Sequence, residues 1–128
     1  MGAFNEENNI ALLSVTVVDH SGAAQTTFYT VPSGFICWPD HFKIKAAGDE
    51  AETDITAGQV GALTDFMGTT QLNNLDAAND MVKVQPIPAD PPVMQKCYAA
   101  GVVLQIDVVA ANGNAGNIYR FFGSLEAE

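Results

Sequence analysis

The sequence predicts an all-β fold, an antiparallel jelly roll or β-sandwich of about eight strands with minimal helix. Apolar residues recur at every second position through most of the 128 residues, which is the pattern of strands that bury one face. Glycine, proline, asparagine and aspartate interrupt this alternation at short intervals and predict turns between the strands. No segment has the long helical periodicity that crossover helices of a parallel sheet need, so an α/β fold is excluded.

The first predicted strand covers residues 10–19. Its odd positions are all apolar and predict the face turned to the core: Ala11, Leu13, Val15 and Val17. Residues 19–22 follow as a turn, because Asp and Ser side chains bond nearby backbone groups and Gly accepts a positive φ. Residues 26–31 are β-branched and aromatic and predict a second strand, which Pro32 ends because it lacks the amide that a ladder needs.

The rest of the chain contains further extended segments with turns between them. In order, they cover residues 35–38, 41–46, 53–57, 81–85, 93–98, 102–111 and 118–125. Pro39 is expected to stop the first of these segments. Residues 64–80 predict a loop with at most one helical turn, because apolar residues recur there at three-residue spacing among asparagines. Four prolines within residues 86–92 predict a stiff, extended connection.

The last two segments form the clearest hairpin. Residues 102–111 carry an unbroken apolar row at alternate positions, and Asn112-Gly113 tolerates the positive φ of a tight turn. On the returning segment, Phe121 and Phe122 point to opposite faces. One of the two rings is therefore expected on the outer face, unless another surface covers it.

Charge and length limit the class of protein. The net charge is -10, from 15 acids against 5 bases, and the bases show no cluster larger than Lys43 and Lys45. Binding to nucleic acid or to an anionic membrane is therefore not expected. Charged residues are 16% of the chain, below the ~25% of typical soluble domains, which suggests that part of the surface is covered in use. The sequence divides into a polar N-terminal arm, residues 1–9, and a single β-sandwich domain, residues 10–128. The arm has no basic residue, so no secretory signal is expected and synthesis is expected in the cytoplasm.

The titratable residues indicate no active site. His20 is expected as a turn residue with local hydrogen bonds, and His41 as a residue of a polar strand face. Asp107 is the one candidate acid for glycoside hydrolysis, although a solvent-facing charge is the favoured interpretation. We therefore predict no enzymatic activity and no catalytic residue.

Binding groups are equally sparse. The acidic loop is expected to be solvated rather than to bind calcium, and its acids are Asp49, Glu50, Glu52 and Asp54. Cys37 and Cys97 lack zinc-site spacing and are expected as small buried residues, with a disulfide bond between them left open. The scattered aromatic residues are expected in the core or at its rim rather than as a sugar-stacking platform: Tyr29, Trp38 and Tyr98. No cofactor and no metal site are predicted.

Several short segments occur in an order seen in one family. They are YTVPSG at 29–34, ITAGQ at 55–59 followed by TDF at 64–66, LNNL at 72–75, YAAG at 98–101, LQIDV at 104–108 and RFFG at 120–123. Over residues 26–125 the chain thereby resembles the small jelly-roll decoration or cement proteins of tailed-phage capsids, and similar domains occur in phage tail fibres.

The resemblance implies a non-enzymatic virion structural protein. Such a protein binds the major capsid protein on the outer surface of the shell, clamps neighbouring capsomers and associates with itself as a dimer or trimer. Arm residues 1–9 would become ordered on a neighbour, and four aromatic residues are candidates for the interface: Phe4, Trp38, Phe121 and Phe122. The alternative is a carbohydrate- or receptor-binding module of a phage fibre, in which Trp38 would contact the sugar.

Overall fold

The computed structural model describes residues 9–86 and 96–128. In this part of the chain it contains eight strands and no helix. The strands are β1 (Ala11–Val18), β2 (Gln25–Thr30), β3 (Phe35–Lys45), β4 (Asp54–Gln59), β5 (Ala62–Gln71), β6 (Met81–Val84), β7 (Val103–Ala110) and β8 (Asn117–Ala127). The predicted arm falls outside the described residues except for Asn9. Residues 87–92 of the proline-rich connection and residues 93–95 of the segment predicted at 93–98 also fall outside them.

The strands form two four-stranded antiparallel sheets. The front sheet has the order β1-β8-β3-β6 and the back sheet the order β2-β7-β4-β5. Pairing is nested along the chain, since β1 pairs with β8, β2 with β7, β3 with β6 and β4 with β5. The predicted all-β sandwich of eight strands is confirmed.

The core lies between the two sheets and is rich in aromatic rings. Phe42 of β3 and Phe121 of β8 are fully buried, and Phe28 of β2 packs edge-on against both at 4.8–4.9 Å between ring centroids. Phe66 of β5 contacts the same two rings at 5.8 and 6.4 Å. Such edge-to-face pairs add about 0.5–1.5 kcal/mol each to the apolar burial, which joins the front sheet to the back sheet.

The expected face of the first strand is wrong for its second half. Val15 and Val17 are 55% and 65% exposed, whereas the hydroxyl oxygen of Ser14 is buried and Val18 is fully buried. The cause is a bulge at Leu13, which has no partner in the register between Leu12↔Phe122 and Ser14↔Phe121. One extra residue moves every later side chain to the opposite face.

The hairpin expected from the last two segments is wrong. β7 lies in the back sheet and β8 in the front sheet, so they do not pair, and the positive φ in the loop between them is at Gly116 rather than at Asn112 or Gly113.

Two further elements differ from the sequence prediction. β3 continues through Pro39 as one strand of eleven residues, with a register irregularity between Pro39 and His41 that accommodates the proline. Residues 62–71 form the strand β5, although residues 64–80 were expected to be a loop. Phe66 and Met67 are both buried and the pairing of β5 with β4 is irregular, so this strand lacks the alternation that would reveal it.

Candidate docking face and buried polar cluster

The outer face of the front sheet carries most of the basic side chains of the molecule. Phe42 and Ile44 of β3 point into the core, so Lys43 and Lys45 between them point outward. By the same alternation, Arg120 of β8 points outward between two buried residues.

Register places three of these bases in one row across the sheet. Lys43 lies directly opposite Arg120 of β8 on one side and opposite Lys83 of β6 on the other. Lys45 follows two residues along β3. Four of the five basic residues of the chain therefore share one face, whereas β1, β6 and residues 41–45 and 117–122 include no acidic residue.

This basic row lacks charge compensation among residues 9–86 and 96–128. Like charges directly opposite each other on a sheet destabilise it. The ion pairs of the described residues do not involve any of the four bases, and Nη1 of Arg120 is buried without a hydrogen-bond partner there. Such a row is expected where acidic groups of a partner neutralise it.

The other half of the face is apolar. Because of the bulge at Leu13, β1 exposes Leu12, Val15 and Val17, beside the half-buried Ile118 and Phe122 of β8. Exposed apolar side chains in one contiguous patch mark an interaction surface more often than scattered ones do. We call the combined surface the docking face: Leu12, Val15, Val17, Lys43, Lys45, Lys83, Ile118, Arg120 and Phe122.

Phe122 stands at the junction of the two halves. Its ring stacks on His41 with 4.7 Å between centroids and 4° between planes, and Nζ of Lys43 lies 5.4 Å from its centroid. Nδ1 of His41 is 2.6 Å from Oδ2 of Asp40, which fixes the imidazole. The ring is therefore held rigidly before any partner binds, which reduces the entropy cost of binding.

The four candidate interface residues lie in different parts of the molecule. Phe122 lies on the docking face. Trp38 is half-buried on β3, and its Nε1 donates a 3.3 Å hydrogen bond to Oε1 of Glu126. Phe121 is fully buried in the core and is not available to a partner, so its place among the interface residues is wrong. Phe4 lies outside the described residues.

A polar cluster is buried at one end of the sandwich, and its residues are far apart in the sequence. Nδ1 of His20 lies 2.8 Å from Oε1 of Glu50, and Nε2 of His20 lies 2.7 Å from the hydroxyl of Tyr119. Asn114 donates to Oε1 from its backbone amide at 2.9 Å and to Oε2 from its side chain at 2.7 Å. The local hydrogen bonds expected for His20 are therefore wrong, because its ring contacts residues 30 and 99 positions away. Glu50 is fully buried, so the expectation of a solvated acidic loop is wrong for this residue.

The protonation states follow from the partners. Burial lowers the pKa of His20 more than Glu50 raises it, so the ring is neutral. Burial alone would raise the pKa of Glu50, but the hydrogen bonds from Asn114 and His20 outweigh it and lower the pKa, so the carboxylate is ionised. Burial also raises the pKa of Tyr119, which keeps its hydroxyl protonated. Hence Nδ1 of His20 donates to Glu50, and Nε2 accepts from Tyr119.

This cluster has the residue types of a proton relay, but it is closed to a substrate. His20, Glu50 and Tyr119 are each at most 1% exposed. The cluster instead joins four loops, since the Glu50 side chain accepts from the β1–β2 and β7–β8 loops and its backbone amide donates to Leu75 of the β5–β6 loop. Sequence reasoning missed it because its members are separated by 30 to 99 residues and no local pattern marks them.

The remaining candidates do not converge. Asp107 is half-buried on the back sheet, away from the docking face. Tyr98 is buried and its hydroxyl donates to Asp65 at 2.7 Å, while Tyr29 packs against the ring of Phe121. The three aromatic residues considered for sugar stacking are thus split between core and rim, as the favoured interpretation of the sequence has it.

The two cysteines are both free thiols. Cys37 is buried, which raises its pKa to about 12, whereas Cys97 is exposed. The expectation of two buried cysteines is therefore wrong for Cys97.

Comparison with known proteins identifies no family for this chain. Protein-family models, curated proteins and solved structures were compared with the chain, and none matches it. Across the described ranges, no group of three or more His, Cys, Asp or Glu side chains is arranged to hold a metal ion. The same ranges contain no helix with the length and apolar character needed to cross a membrane.

Proposed function

We propose that the chain is a non-enzymatic structural protein of a phage virion. It binds the outer surface of the capsid through the docking face and clamps neighbouring capsomers, so that the assembled shell is stabilised. The observation that carries this proposal is the segregation of four of five bases, together with exposed valines, on one sheet face of a chain with net charge -10. Binding of the assembled state alone stabilises it by mass action.

The chemistry of the face favours an acidic and partly apolar protein surface as the partner. Four bases would pair with carboxylates, and Val15, Val17 and Phe122 would be removed from water in the same contact. A phosphate backbone would use the bases but leave the apolar half uncovered, and the remaining surface would repel it. The outer capsid surface, built from the major capsid protein, is the partner of this kind that the family resemblance implies.

The nested strand pairing supports the same proposal. A chain in which β1 pairs with β8, β2 with β7, β3 with β6 and β4 with β5 is one long antiparallel ribbon rolled into two sheets. Jelly rolls combine eight strands in two sheets in this way, and they recur in capsid proteins.

The decisive experiment is cosedimentation with shells of the virus whose genome encodes this chain. Lys43→Glu and Lys83→Glu reverse a charge on the docking face, and we expect each to weaken shell binding by about tenfold or more. Lys96→Glu is the matched control, because it makes the same charge change outside the docking face. Lys96 forms an ion pair with Asp65, in which Nζ and Oδ2 are 3.8 Å apart. Equal loss in all three variants, or no binding of the unmodified protein, would contradict the proposal.

A second candidate function is carbohydrate binding as a module of a phage fibre. A cleft of about 290 Å³ runs between the end of β5 and β6 and is lined by side chains that suit sugar hydroxyls: Thr70, Gln71, Asn73, Asn74, Lys83 and Gln85. For this function, Asn73→Ala with Asn74→Ala should abolish binding on a glycan array, whereas Lys43→Glu should leave it unchanged. Loss of glycan binding in Trp38→Ala instead would place the sugar at Trp38.

A further inference from the structure

The free edge of β1 is a second unsatisfied surface, distinct from the docking face. β1 is the outermost strand of the front sheet, and no strand of the described residues pairs with its outer edge. Its eight residues, ALLSVTVV, include no charge, no proline and no glycine. An exposed, uncharged, apolar edge strand offers a row of unpaired backbone groups to any other strand, and soluble proteins normally prevent this.

The other three edges of the sandwich each have a feature that discourages pairing. β6 is four residues long and carries Lys83. β5 contains Asp65, and its pairing with β4 is irregular at two places. β2 is irregular between Thr27 and Tyr29 and starts with three polar residues. β1 has its bulge at Leu13, but the run from Ser14 to Val18 is regular. The four edges are therefore unequal, and β1 is the one open to pairing.

We propose that β1 pairs antiparallel with β1 of a second copy of this chain, about a twofold axis perpendicular to the front sheet. Twofold antiparallel pairing sets a strand against its own reversed sequence, so charged residues of one sign approach each other across the axis. β1 has none, whereas pairing through β6 would bring Lys83 of both copies together. The product is a continuous eight-stranded sheet in which Val15 and Val17 of both copies form one apolar surface.

The basic rows of the two copies remain apart in this dimer. Arg120 lies one strand inside β1, so at least three strand spacings, about 14 Å, separate it from its counterpart. That separation exceeds the Debye length of about 8 Å at physiological salt, so repulsion across the dimer is screened.

The dimer goes beyond the proposed function, since it assigns a different surface and a different partner. A twofold axis perpendicular to the sheet turns both docking faces to the same side. One dimer would therefore contact two places on a common support, and the second contact would be intramolecular. Bridging of neighbouring subunits follows from this geometry without any further contact.

Light scattering across a concentration series tests the dimer directly. We expect a mass of twice the 13.5 kDa chain, and the single-chain mass for Val17→Lys, which places a charge at the pairing edge. Val60→Lys is the matched control and should stay dimeric, because Val60 is 59% exposed in the β4–β5 turn of the back sheet. A wild-type protein of 13.5 kDa at all concentrations, or a Val17→Lys protein that remains a dimer, would overturn the proposal.

Cross-linking identifies the surface independently of mass. In a Cys97→Ser background, which removes the exposed native thiol, Val15→Cys and Val17→Cys are oxidised mildly and compared with Val60→Cys. We expect a disulfide-linked dimer from at least one β1 variant and not from Val60→Cys. Equal cross-linking at all three positions would refute pairing through β1. A monomeric protein that still binds shells would refute the dimer and leave the docking face in place.

Discussion

Oε1 of Glu50 accepts a hydrogen bond of 2.8 Å from Nδ1 of His20, and both side chains are fully buried. The two residues lie in different loops, and the same oxygen also accepts the backbone amide of Asn114 from a third loop. A buried carboxylate with several donors is stable only while every donor stays in place. The position of the loops at this end of the sandwich thus depends on one ionised side chain.

Acid should destabilise the fold progressively from about pH 6.5. Burial lowers the pKa of His20 below its ordinary value of 6.5, so at lower pH the unfolded chain binds a proton that the folded chain excludes. Stability therefore falls as the pH drops from 6.5 toward the folded pKa, by up to about 1.4 kcal/mol per pH unit. The pKa of Glu50 is also lowered, so its contribution is lost at still lower pH, as the pH falls through its folded pKa.

Urea unfolding at a series of pH values between 7.5 and 4.5 measures this profile. His41→Gln should keep the decline near pH 6.5, because His41 is outside the buried cluster. A stability maximum below pH 6 would contradict the prediction and would show that relief of repulsion among the fifteen acids dominates.

Glu50→Gln should destabilise the protein by about 1.5–3 kcal/mol, the range for hydrogen bonds to a charged group. A Gln amide keeps one oxygen and replaces the other with a donor, although His20 and Asn114 present only donors to this side chain. Glu52→Gln is the control in the same loop, and it should change stability by less than about 0.5 kcal/mol because Asn112 can still donate to the remaining oxygen. Chemical denaturation compares the two, and similar losses would contradict the role of Glu50.

Gly113→Ala should destabilise the same end of the sandwich by about 1–3 kcal/mol, as overpacking does. A Cβ at Gly113 would overlap Oε1 of Glu50 and lie 2.9 Å from the Cβ of His20 and from Oγ1 of Thr53. Gly22→Ala has no atom within 4 Å of its new Cβ and should leave stability unchanged or slightly raised. Thermal unfolding of the two variants tests this prediction. A Gly113→Ala protein with unchanged stability would show that the loop has room to move.

The neighbouring phenylalanines of β8 should separate stability from binding. Phe121→Ala removes a fully buried ring and should cost about 3–5 kcal/mol of unfolding free energy. Phe122→Ala removes a half-buried ring on the docking face and should cost about 1 kcal/mol, while it weakens shell binding. Denaturation and cosedimentation are measured on both. A Phe122→Ala protein that binds shells normally would remove this ring from the docking face.

Regular strands were predictable from the sequence, and irregular ones were not. β7 was predictable because its alternate apolar row is local. The hairpin expected at Asn112-Gly113 was wrong, because the loop after β7 crosses to the other sheet instead of returning along β7. The exposed face of β1 was assigned wrongly because the bulge at Leu13 is set by pairing with β8, which lies about a hundred residues away. β5 was missed because two successive buried residues cancel its alternation.

The candidate site depended on the topology even more strongly. Lys43 and Lys45 could be placed on one face from spacing alone, but Lys83 and Arg120 join them only through the pairing of β3 with β6 and β8. The same holds for His20, Glu50 and Tyr119, whose contacts join two loops and a strand. Residue type indicated candidates, and only the sheet order brought them together.

The adjacency of β1 and β8 has a practical consequence for engineering. Ala11 lies opposite Gly123, so the two ends of the sandwich emerge from neighbouring strands of one sheet. A short linker from the end of β8 to the start of β1 could join the two strands, and new termini could open at Val60 and Gly61 in the back sheet. Such a circular permutant would present fused cargo on the sheet opposite the basic face, with β1 left intact.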